Sequence, residues 1–294
     1  MTTQRDNDRN YSDGTWLSAD RLALHYRDYP AAGPAKVTPV ICLHGLTRNG
    51  RDFADLASKL ASTRRVIVPD MRGRGKSEYA ADPATYTPQT YVADVLALLD
   101  REGISRAVFI GTSLGGLMTM LLSAYQPDRI AAAVLNDIGP EIDAAGLEHI
   151  RGYVGQGRSY PTWIHAARAL EDLHAGAHPA FELEDWLAMA KRGMDVQQSG
   201  RIGYDYDMKI AEPFAQDDGA APPDLWPAFK SLNGKPVLLV RGALSNLLSA
   251  ETYAKMQAQL PGAAAVTVPD IGHAPLLTEP SALAAIEALL VDIA

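Results

Sequence analysis

The sequence predicts an α/β fold, in which a mostly parallel, doubly wound sheet carries an inserted helical segment. Two observations lead to this prediction. Short apolar runs alternate with stretches of helical spacing along most of the chain, and the alternation stops between residues 139 and 226. Strands that are apolar on both faces are typical of a parallel sheet covered by helices on both sides.

Six apolar runs are predicted to be buried parallel strands, because each is short and continuously apolar. They are residues 39–43, 66–69, 107–110, 130–135, 237–240 and 264–268. Ahead of them, residues 15–17 and 22–29 alternate around Ser18 and Asp20, which predicts an opening hairpin. Residues 1 to about 13 are polar and are expected to be frayed.

Helices are predicted between the strands. Apolar side chains at positions 53, 56, 57 and 60 have helical spacing, and Thr87 precedes Pro88 as an N-cap before a first-turn proline. Further helices are predicted at residues 91–99, 117–125, 249–260 and 282–293.

Residues 139–226 are predicted to form a helical cap domain, inserted into a core domain of residues 1–138 and 227–294. This stretch is aromatic, and no convincing strand pattern occurs in it. Gly139 and Pro140 lie at one of its ends, and Pro222 and Pro223 lie near the other. Some of its aromatic side chains are expected to line an apolar pocket.

Composition and charge exclude several classes of protein. Of the 294 residues, 47% are hydrophobic and 21% charged, which excludes disorder, collagen and coiled coil as the main architecture. The net charge of −8 argues against partners such as nucleic acid or an anionic membrane. The single cysteine, Cys42, excludes an internal disulfide, and no apolar signal segment is present. We therefore expect a cytoplasmic monomer or homodimer.

The strongest chemical signal is Gly-Thr-Ser-Leu-Gly at residues 111–115, which matches G-x-S-x-G between a predicted strand and a predicted helix. A serine on such a tight turn needs small flanking residues, since a side chain at either glycine would collide with backbone. The turn lifts the hydroxyl above the sheet, where the helix N-terminus favours developing negative charge. Ser113 is therefore predicted to be a nucleophile, and a plain turn with a capping serine is the alternative.

Two further loops supply partners for this serine. His44, Gly45 and Leu46 end an early strand, and such a turn can aim the N–H of Leu46 at a reacting carbonyl oxygen. The N–H of Leu114 is the natural second donor. His273 follows the last predicted strand and is predicted to be the general base.

These elements, with the sequence Asp-Met-Arg-Gly-Arg-Gly-Lys-Ser at residues 70–77, resemble the α/β-hydrolase family over nearly the whole chain after residue 14. Residues 70–77 look like the family's structural D-x-R-G-x-G-x-S turn. They also imitate a phosphate-binding loop, which would need glycine where this chain has Asp70. The resemblance implies a serine hydrolase that acts on a small to medium carboxylic ester and needs no cofactor or metal. A lactone or carbon–carbon bond hydrolase with the same residues is the alternative.

The acid of the triad is ambiguous in the sequence. The family resemblance places it after the strand at 237–240, where the matching residue is Asn246, which carries no charge. Asn246 is then either a substitution for aspartate or the mark of a ligand-binding pseudoenzyme. A third possibility moves the acid to Asp137, at the end of the strand at 130–135, although an acidic residue there is also a good turn former. Asp270 is close to His273 in sequence, which is a weak reason to pair them.

Four other residues are weaker candidates. Arg48 and Arg51 could meet a substrate carboxylate or could be solvated charges at a helix start. His174 and His178 are four apart, as in a metal pair, but no third ligand pattern accompanies them and they are expected on the surface of the cap.

Overall fold

The computed structural model describes residues 10–32, 37–215 and 223–293. Most of the polar N-terminal stretch and Pro222, one of the residues near the expected end of the cap, lie outside the described residues.

The described chain contains eleven strands. They are β1 Ser12–Leu17, β2 Ala23–Tyr29, β3 Val40–Leu43, β4 Val66–Asp70, β5 Ala107–Thr112, β6 Ile130–Asn136, β7 Ser159–Tyr160, β8 Met194–Val196, β9 Ile202–Tyr204, β10 Val237–Gly242 and β11 Ala264–Val268. The helices are α1 Ala54–Leu60, α2 Pro88–Arg101, α3 Leu114–Tyr125, α4 Ala144–Tyr153, α5 Trp163–His174, α6 Leu183–Gly193, α7 Glu212–Ala215, α8 Trp226–Lys230, α9 Ala250–Gln259 and α10 Pro280–Val291.

Eight of these strands form one sheet in the order β1-β2-β4-β3-β5-β6-β10-β11. The predicted hairpin β1–β2 and the pair β2–β4 are antiparallel, and the remaining neighbours are parallel. The mostly parallel α/β sheet is therefore confirmed, and each of the six predicted parallel strands is observed within two residues of its expected bounds.

Burial on both faces explains why the strand predictions succeed. In β3, Ile41 and Leu43 belong to one hydrophobic cluster, whereas Val40 and Cys42 belong to the cluster on the other face of the sheet. All four side chains are fully buried, and Cys42 is a core residue as its position suggests. Helices pack over both clusters, so every position of the strand must be apolar.

The helix starts follow the local rules of capping. The Thr87 side chain accepts a hydrogen bond from the N–H of Thr90 at the start of α2, and Ser249 caps α9 in the same way through Thr252. Helix α3 begins at Leu114, three residues before its expected start, because the chain turns straight from Ser113 into the helix.

Residues 139–226, called here the inserted segment, connect β6 to the return of the chain toward β10. The described part of the segment is mainly helical, but β7, β9 and β8 also form a three-stranded antiparallel sheet. The expectation that this stretch contains no strand is therefore wrong. Its strands are two or three residues long, which is too short to show an alternating pattern. Buried residues such as Leu170 and Trp186 give the segment a hydrophobic cluster of its own.

Within the described ranges, no helix combines the length and the apolar character that crossing a membrane requires.

Candidate active site

The sheet topology brings four loops together. His44 follows β3, Ser113 follows β5 and Asp137 follows β6, and β5 lies between the other two strands. The carboxyl ends of neighbouring parallel strands meet at one edge, which is where open α/β sheets place their ligands. His273 lies on the loop between β11 and α10 and reaches the same edge.

Ser113, His273 and Asp137 form a continuous hydrogen-bonded chain. The Nε2 atom of His273 lies 3.0 Å from the Ser113 hydroxyl oxygen, and its Nδ1 atom lies 2.8 Å from Oδ2 of Asp137. A carboxylate accepts the Nδ1 proton, so Nε2 is left free to take a proton from the serine. This geometry matches a nucleophile, a base and an orienting acid.

Asp137 is fully buried, and other donors from the protein hold its carboxylate in place. Oδ1 accepts the backbone N–H of Gly242 at 2.8 Å, and Oδ2 also accepts the Ser245 hydroxyl at 2.6 Å. Charge-assisted hydrogen bonds of this kind compensate for the loss of water around a buried carboxylate. The backbone of Asp137 has φ +54°, an uncommon conformation for a residue with a side chain.

Asn246 is not a member of this hydrogen-bonded chain. The position beside Nδ1 of His273 is taken by Asp137, and among the described residues no hydrogen bond joins Asn246 to His273. The backbone oxygen of Asn246 instead lies against Gly146, where a Cβ atom would come within 2.4 Å of it. The loop after β10 turns so that Ser245 faces the triad, and it contributes hydrogen-bond donors to the acid of β6. The accounts of Asn246 as a substituted or lost acid therefore have no geometric support.

The turn at Ser113 has the crowding that its motif predicts. A Cβ atom on Gly111 would lie 2.3 Å from the backbone of Gly115, and one on Gly115 would lie 2.0 Å from the carbonyl oxygen of Leu43. Ser113 itself has φ +52° and ψ −115°, a strained conformation for a non-glycine residue. Gly116, which the motif does not include, is equally restricted, because a Cβ atom there would lie 2.3 Å from Ile138.

His44 holds the turn that carries Leu46. Its Nε2 atom accepts the backbone N–H of Met71 at 3.0 Å, so the proton is on Nδ1, which donates to the carbonyl oxygen of Gly45 at 2.8 Å. Burial lowers the pKa of His44 to about 4, so the ring is neutral at pH 7. The peptide group between Gly45 and Leu46 is thereby held in one orientation.

Arg74 holds the next peptide group. Its Nε atom donates to the carbonyl oxygen of Leu46 at 2.9 Å, and the fully buried guanidinium lies between the rings of Tyr86 and Tyr91. The peptides on both sides of Leu46 are therefore fixed by buried side chains. Sequence reasoning missed this contact of Arg74. The residue occupies a variable position of the D-x-R-G-x-G-x-S motif, so the motif itself does not point to it.

The N–H groups of Leu46 and Leu114 are both without a protein acceptor in the part of the chain that the structure describes. Leu114 directly follows Ser113 at the start of α3, and Leu46 lines the same cavity as Ser113. Two such amides are available to a ligand oxygen beside the serine.

The turn at residues 70–77 is filled by its own carboxylate. Asp70 accepts the backbone N–H groups of Gly50 at 2.7 Å and Lys76 at 3.2 Å and contacts His25 Nδ1 at 2.8 Å. A Cβ atom on Gly75 would lie 2.5 Å from Oδ2 of Asp70, so the space inside the turn is occupied. This agrees with the expectation that the segment is structural and does not bind phosphate.

A cavity of about 130 Å³ opens in front of Ser113. Apolar side chains, including Phe53 and Met189, form part of its lining, which also contains Arg48, His174 and His178. The expectation that the two histidines lie on the surface of the cap is wrong, since His178 is 4% exposed and both rings line the cavity. Burial, followed by the charge of Arg48, lowers the pKa of His174 to about 3 and that of His178 to about 4.

Arg51 faces away from this cavity and ties the inserted segment to the core. Its guanidinium donates to the carbonyl oxygens of Arg192 and Met194 at 2.9 and 3.1 Å and pairs with Asp205 at 2.6 Å. Of the two arginines that could meet a substrate carboxylate, only Arg48 is placed to do so.

A second cavity of about 140 Å³ adjoins the first. The two share Ile150, Tyr153, His174 and His273 as lining residues, and Asn246 lines the second cavity only. His273 therefore lies where the two cavities adjoin.

Comparisons with known proteins show the family to which the chain belongs. A family model of the alpha/beta hydrolase fold matches residues 38–280. A 3-hydroxybutyrate-oligomer hydrolase from Cupriavidus necator is 35% identical over 268 residues, which cover 89% of this chain and 91% of that protein. A 2-(acetamidomethylene)succinate hydrolase from Mesorhizobium japonicum is 28% identical over 86% of each chain. The crystal structure of an alpha/beta hydrolase from Novosphingobium aromaticivorans is 57% identical, with a TM-score of 0.91 and coverage of 96% of this chain and 98% of that one.

Proposed function

We propose that this chain cleaves carboxylic esters through an acyl-enzyme intermediate. The premise is that the chain belongs to the α/β-hydrolase fold family and is a hydrolase. The observation that carries this proposal is the chain of hydrogen bonds from the Ser113 hydroxyl through His273 to buried Asp137. A serine activated in this way attacks acyl carbons. The similarity to hydrolases whose names describe a hydroxybutyrate oligomer and a substituted succinate supports an acyl substrate.

In the proposed mechanism, the Ser113 oxygen attacks the ester carbonyl while His273 Nε2 takes the hydroxyl proton. Asp137 holds the Nδ1–H of His273 and stabilises the imidazolium that forms. The oxygen of the tetrahedral intermediate accepts hydrogen bonds from the N–H groups of Leu46 and Leu114. His273 then protonates the leaving alkoxide, which departs as the alcohol, and the acyl group stays on Ser113.

The second half of the reaction repeats these roles with water. His273 takes a proton from a water molecule, whose oxygen attacks the acyl-enzyme carbonyl. Collapse of the second tetrahedral intermediate returns the proton to Ser113 and releases the carboxylic acid. The steps use only the ester, water and groups of this chain.

We also infer that the inserted segment, residues 139–226, acts as a cap over a core of residues 1–138 and 227–294. Met189, His174 and His178 come from the inserted segment and line the cavity in front of Ser113. The segment would then set which substrate enters, since the reacting groups come from the core.

The test compares Ser113→Ala with the unchanged protein on 4-nitrophenyl butyrate, together with labelling by a fluorophosphonate. We expect turnover to fall by roughly 10⁴-fold or more and labelling to disappear. Ser123→Ala is the matched control, because Ser123 is buried on the same helix and bonds Ser231 instead of the triad. Turnover or labelling that survives in Ser113→Ala would exclude the mechanism.

A small lactone and a keto acid with a cleavable carbon–carbon bond belong in the same assay, because hydrolases of both use a similar serine and histidine. Faster turnover of either than of the ester would move the assignment to that class. A pseudoenzyme would bind an ester without an acyl-enzyme burst. The contact between His273 and Asp137, a residue that can carry charge, favours an active hydrolase.

A further inference from the structure

We propose that the substrate of this site carries a carboxylate, and that Arg48, with His174 and His178, binds it in the cavity beside Ser113. The inference rests on the proposed function and adds to it the chemical class of the substrate.

Arg48 lies next to the nucleophile. A Cβ atom built on Gly45 would lie 3.7 Å from the Cβ atom of Ser113 and 3.5 Å from Cγ of Arg48. The stem of the arginine and the serine therefore flank the same glycine. The guanidinium extends from there toward the end of α6, where a Cβ atom on Gly193 would lie 2.5 Å from Nη1 of Arg48. The charge therefore lies where the core meets the inserted segment, between Asp52 and the end of α6.

Arg48 shares its one carboxylate partner at the cavity with a second arginine. Nε and Nη2 of Arg48 donate to the two carboxylate oxygens of Asp52 at 2.7 and 2.6 Å. Nε of Arg192 lies 4.0 Å from Oδ1 of the same carboxylate, and Nη1 of Arg192 lies 3.9 Å from Oδ2 of the exposed Asp55. Among the described residues that line the cavity, Asp52 is the one acidic residue, and both of its carboxylate oxygens accept hydrogen bonds from Arg48. An anionic ligand therefore meets no free carboxylate there.

Several polar atoms at this end of the cavity lack a partner. Within the described ranges, Nη1 of Arg48 makes no hydrogen bond, and neither do the ring nitrogens of His174 and His178. His178 is 4% exposed and its Nδ1 atom is fully buried, so water does not compensate for the missing partner. Buried polar groups that line a ligand cavity without a partner are typical of sites whose ligand supplies it.

A carboxylate satisfies these atoms better than a neutral group does. Arg48 can only donate, and a neutral imidazole can donate from one nitrogen, so an acceptor with two oxygens suits the cluster. The lining near these residues combines the apolar Leu170 and Met189 with the rings of Tyr153 and Tyr204. Its apolar part fits the carbon chain between the carboxylate and the ester.

The experiment uses pairs of esters that differ only in charge. 4-Nitrophenyl hydrogen glutarate and its methyl ester place the carboxylate on the acyl side, and 4-acetoxybenzoate and 4-acetoxybenzamide place it on the alcohol side. We expect the anionic member of at least one pair to have a kcat/KM roughly tenfold or more above its neutral partner, as for a charge-assisted contact. Equal values in both pairs would overturn the inference while leaving the ester hydrolase in place.

Two double variants locate the binding group. Arg48→Gln with Asp52→Asn removes the charge pair at the cavity without leaving a lone buried charge, and we expect it to abolish the preference for the anion. Arg51→Gln with Asp205→Asn removes the neighbouring pair that faces away from the cavity, and we expect it to keep the preference. A preference that survives in the first double variant would overturn the role of Arg48.

Binding to Ser113→Ala separates this inference from the proposed mechanism. Calorimetry compares monomethyl glutarate with dimethyl glutarate on that variant. Tighter binding of the acid supports the carboxylate site even if the unchanged protein hydrolyses none of the esters, a result that would count against the proposed function alone. Equal or weaker binding of the acid counts against the carboxylate site.

Discussion

The hydroxyl of Ser245 lies 2.6 Å from the Oδ2 atom of Asp137, the same oxygen that contacts His273. The loop after β10 therefore supports Asp137 by donating to it, although the family resemblance leads one to expect a triad acid on this loop itself. One residue further along, Asn246 turns away to the second cavity. Asp137, directly after β6, can therefore complete a triad with Ser113 and His273. The paths of the loops after β6 and β10 determine which residue lies beside the histidine.

Asp137→Asn is expected to lower kcat for 4-nitrophenyl butyrate by about 10³- to 10⁴-fold, because an amide leaves His273 with the wrong tautomer and no stabilising charge. Asn246→Asp is the matched control and is expected to change kcat by less than about threefold. Steady-state kinetics and the rate of fluorophosphonate labelling measure both. A large gain in Asn246→Asp, together with a small loss in Asp137→Asn, would return the acid to position 246.

Ser245→Ala is expected to lower kcat/KM by about tenfold, since a hydrogen bond to a charged group contributes about 1.5–3 kcal/mol. The loop is also held by this side chain, because the backbone N–H groups of Leu247 and Leu248 donate to its oxygen at 3.2 and 3.1 Å. Ser249→Ala removes the N-cap of α9 and is expected to cost about 1 kcal/mol in unfolding free energy with kcat/KM unchanged. Similar kinetics for the two variants at similar stability would show that Ser245 only supports the fold.

Arg74→Gln is expected to lower kcat about 10²-fold at nearly constant KM, because the peptide after Leu46 loses its anchor and the oxyanion donor is no longer held in place. The affinity for a trifluoromethyl ketone, which reproduces the oxyanion, is expected to fall in proportion to kcat. Arg72→Gln is the control, since Arg72 belongs to the same turn and pairs with Asp94 and Asp20 instead. Equal losses in the two variants after correction for unfolded protein would assign Arg74 a structural role.

The unfolding free energy is expected to fall as the pH drops below about 6.5, the ordinary pKa of histidine. Burial lowers the pKa of His44 to about 4, so between these values the unfolded chain binds a proton that the folded chain does not. The resulting loss at about pH 5 is about 2 kcal/mol for this residue, and His178 contributes in the same direction. Above about pH 6.5 the contribution of His44 to stability is fully present.

Urea unfolding at about pH 7.5 and about pH 5 measures this difference. His44→Gln is expected to reduce the difference by about 2 kcal/mol, whereas His165→Gln, on an exposed part of α5, is expected to leave it in place. An unchanged difference in His44→Gln would mean that the ring of His44 is protonated in the folded protein.

The main sheet and most of the site could be predicted because their signals are local. The parallel strands are apolar on both faces, and the turn around Ser113 needs Gly111 and Gly115 for steric reasons that a short sequence records. His273 was found through its place after the last strand. In each case the residues that make the pattern are neighbours in the chain or follow one periodic rule.

Other features depend on contacts between distant residues. The strands β7, β8 and β9 are too short for a pattern, and their pairing comes from the folding of the inserted segment. The burial of His174 and His178 could not be predicted, because a spacing of four residues does not indicate which side of a helix another part of the chain covers. Arg74 and Leu46 are 28 positions apart, and nothing in either local sequence connects them.

The sequence by itself determined the fold class and singled out Ser113 and His273 as candidates, because strand burial and a crowded turn restrict residue types at adjacent positions. Only the tertiary structure decided that Asp137, and not Asn246, contacts His273. These residues are 136 and 27 positions from the histidine, and both lie near the carboxyl end of the sheet. Their distances to its ring depend on the paths of two loops, which are set by packing over the whole domain.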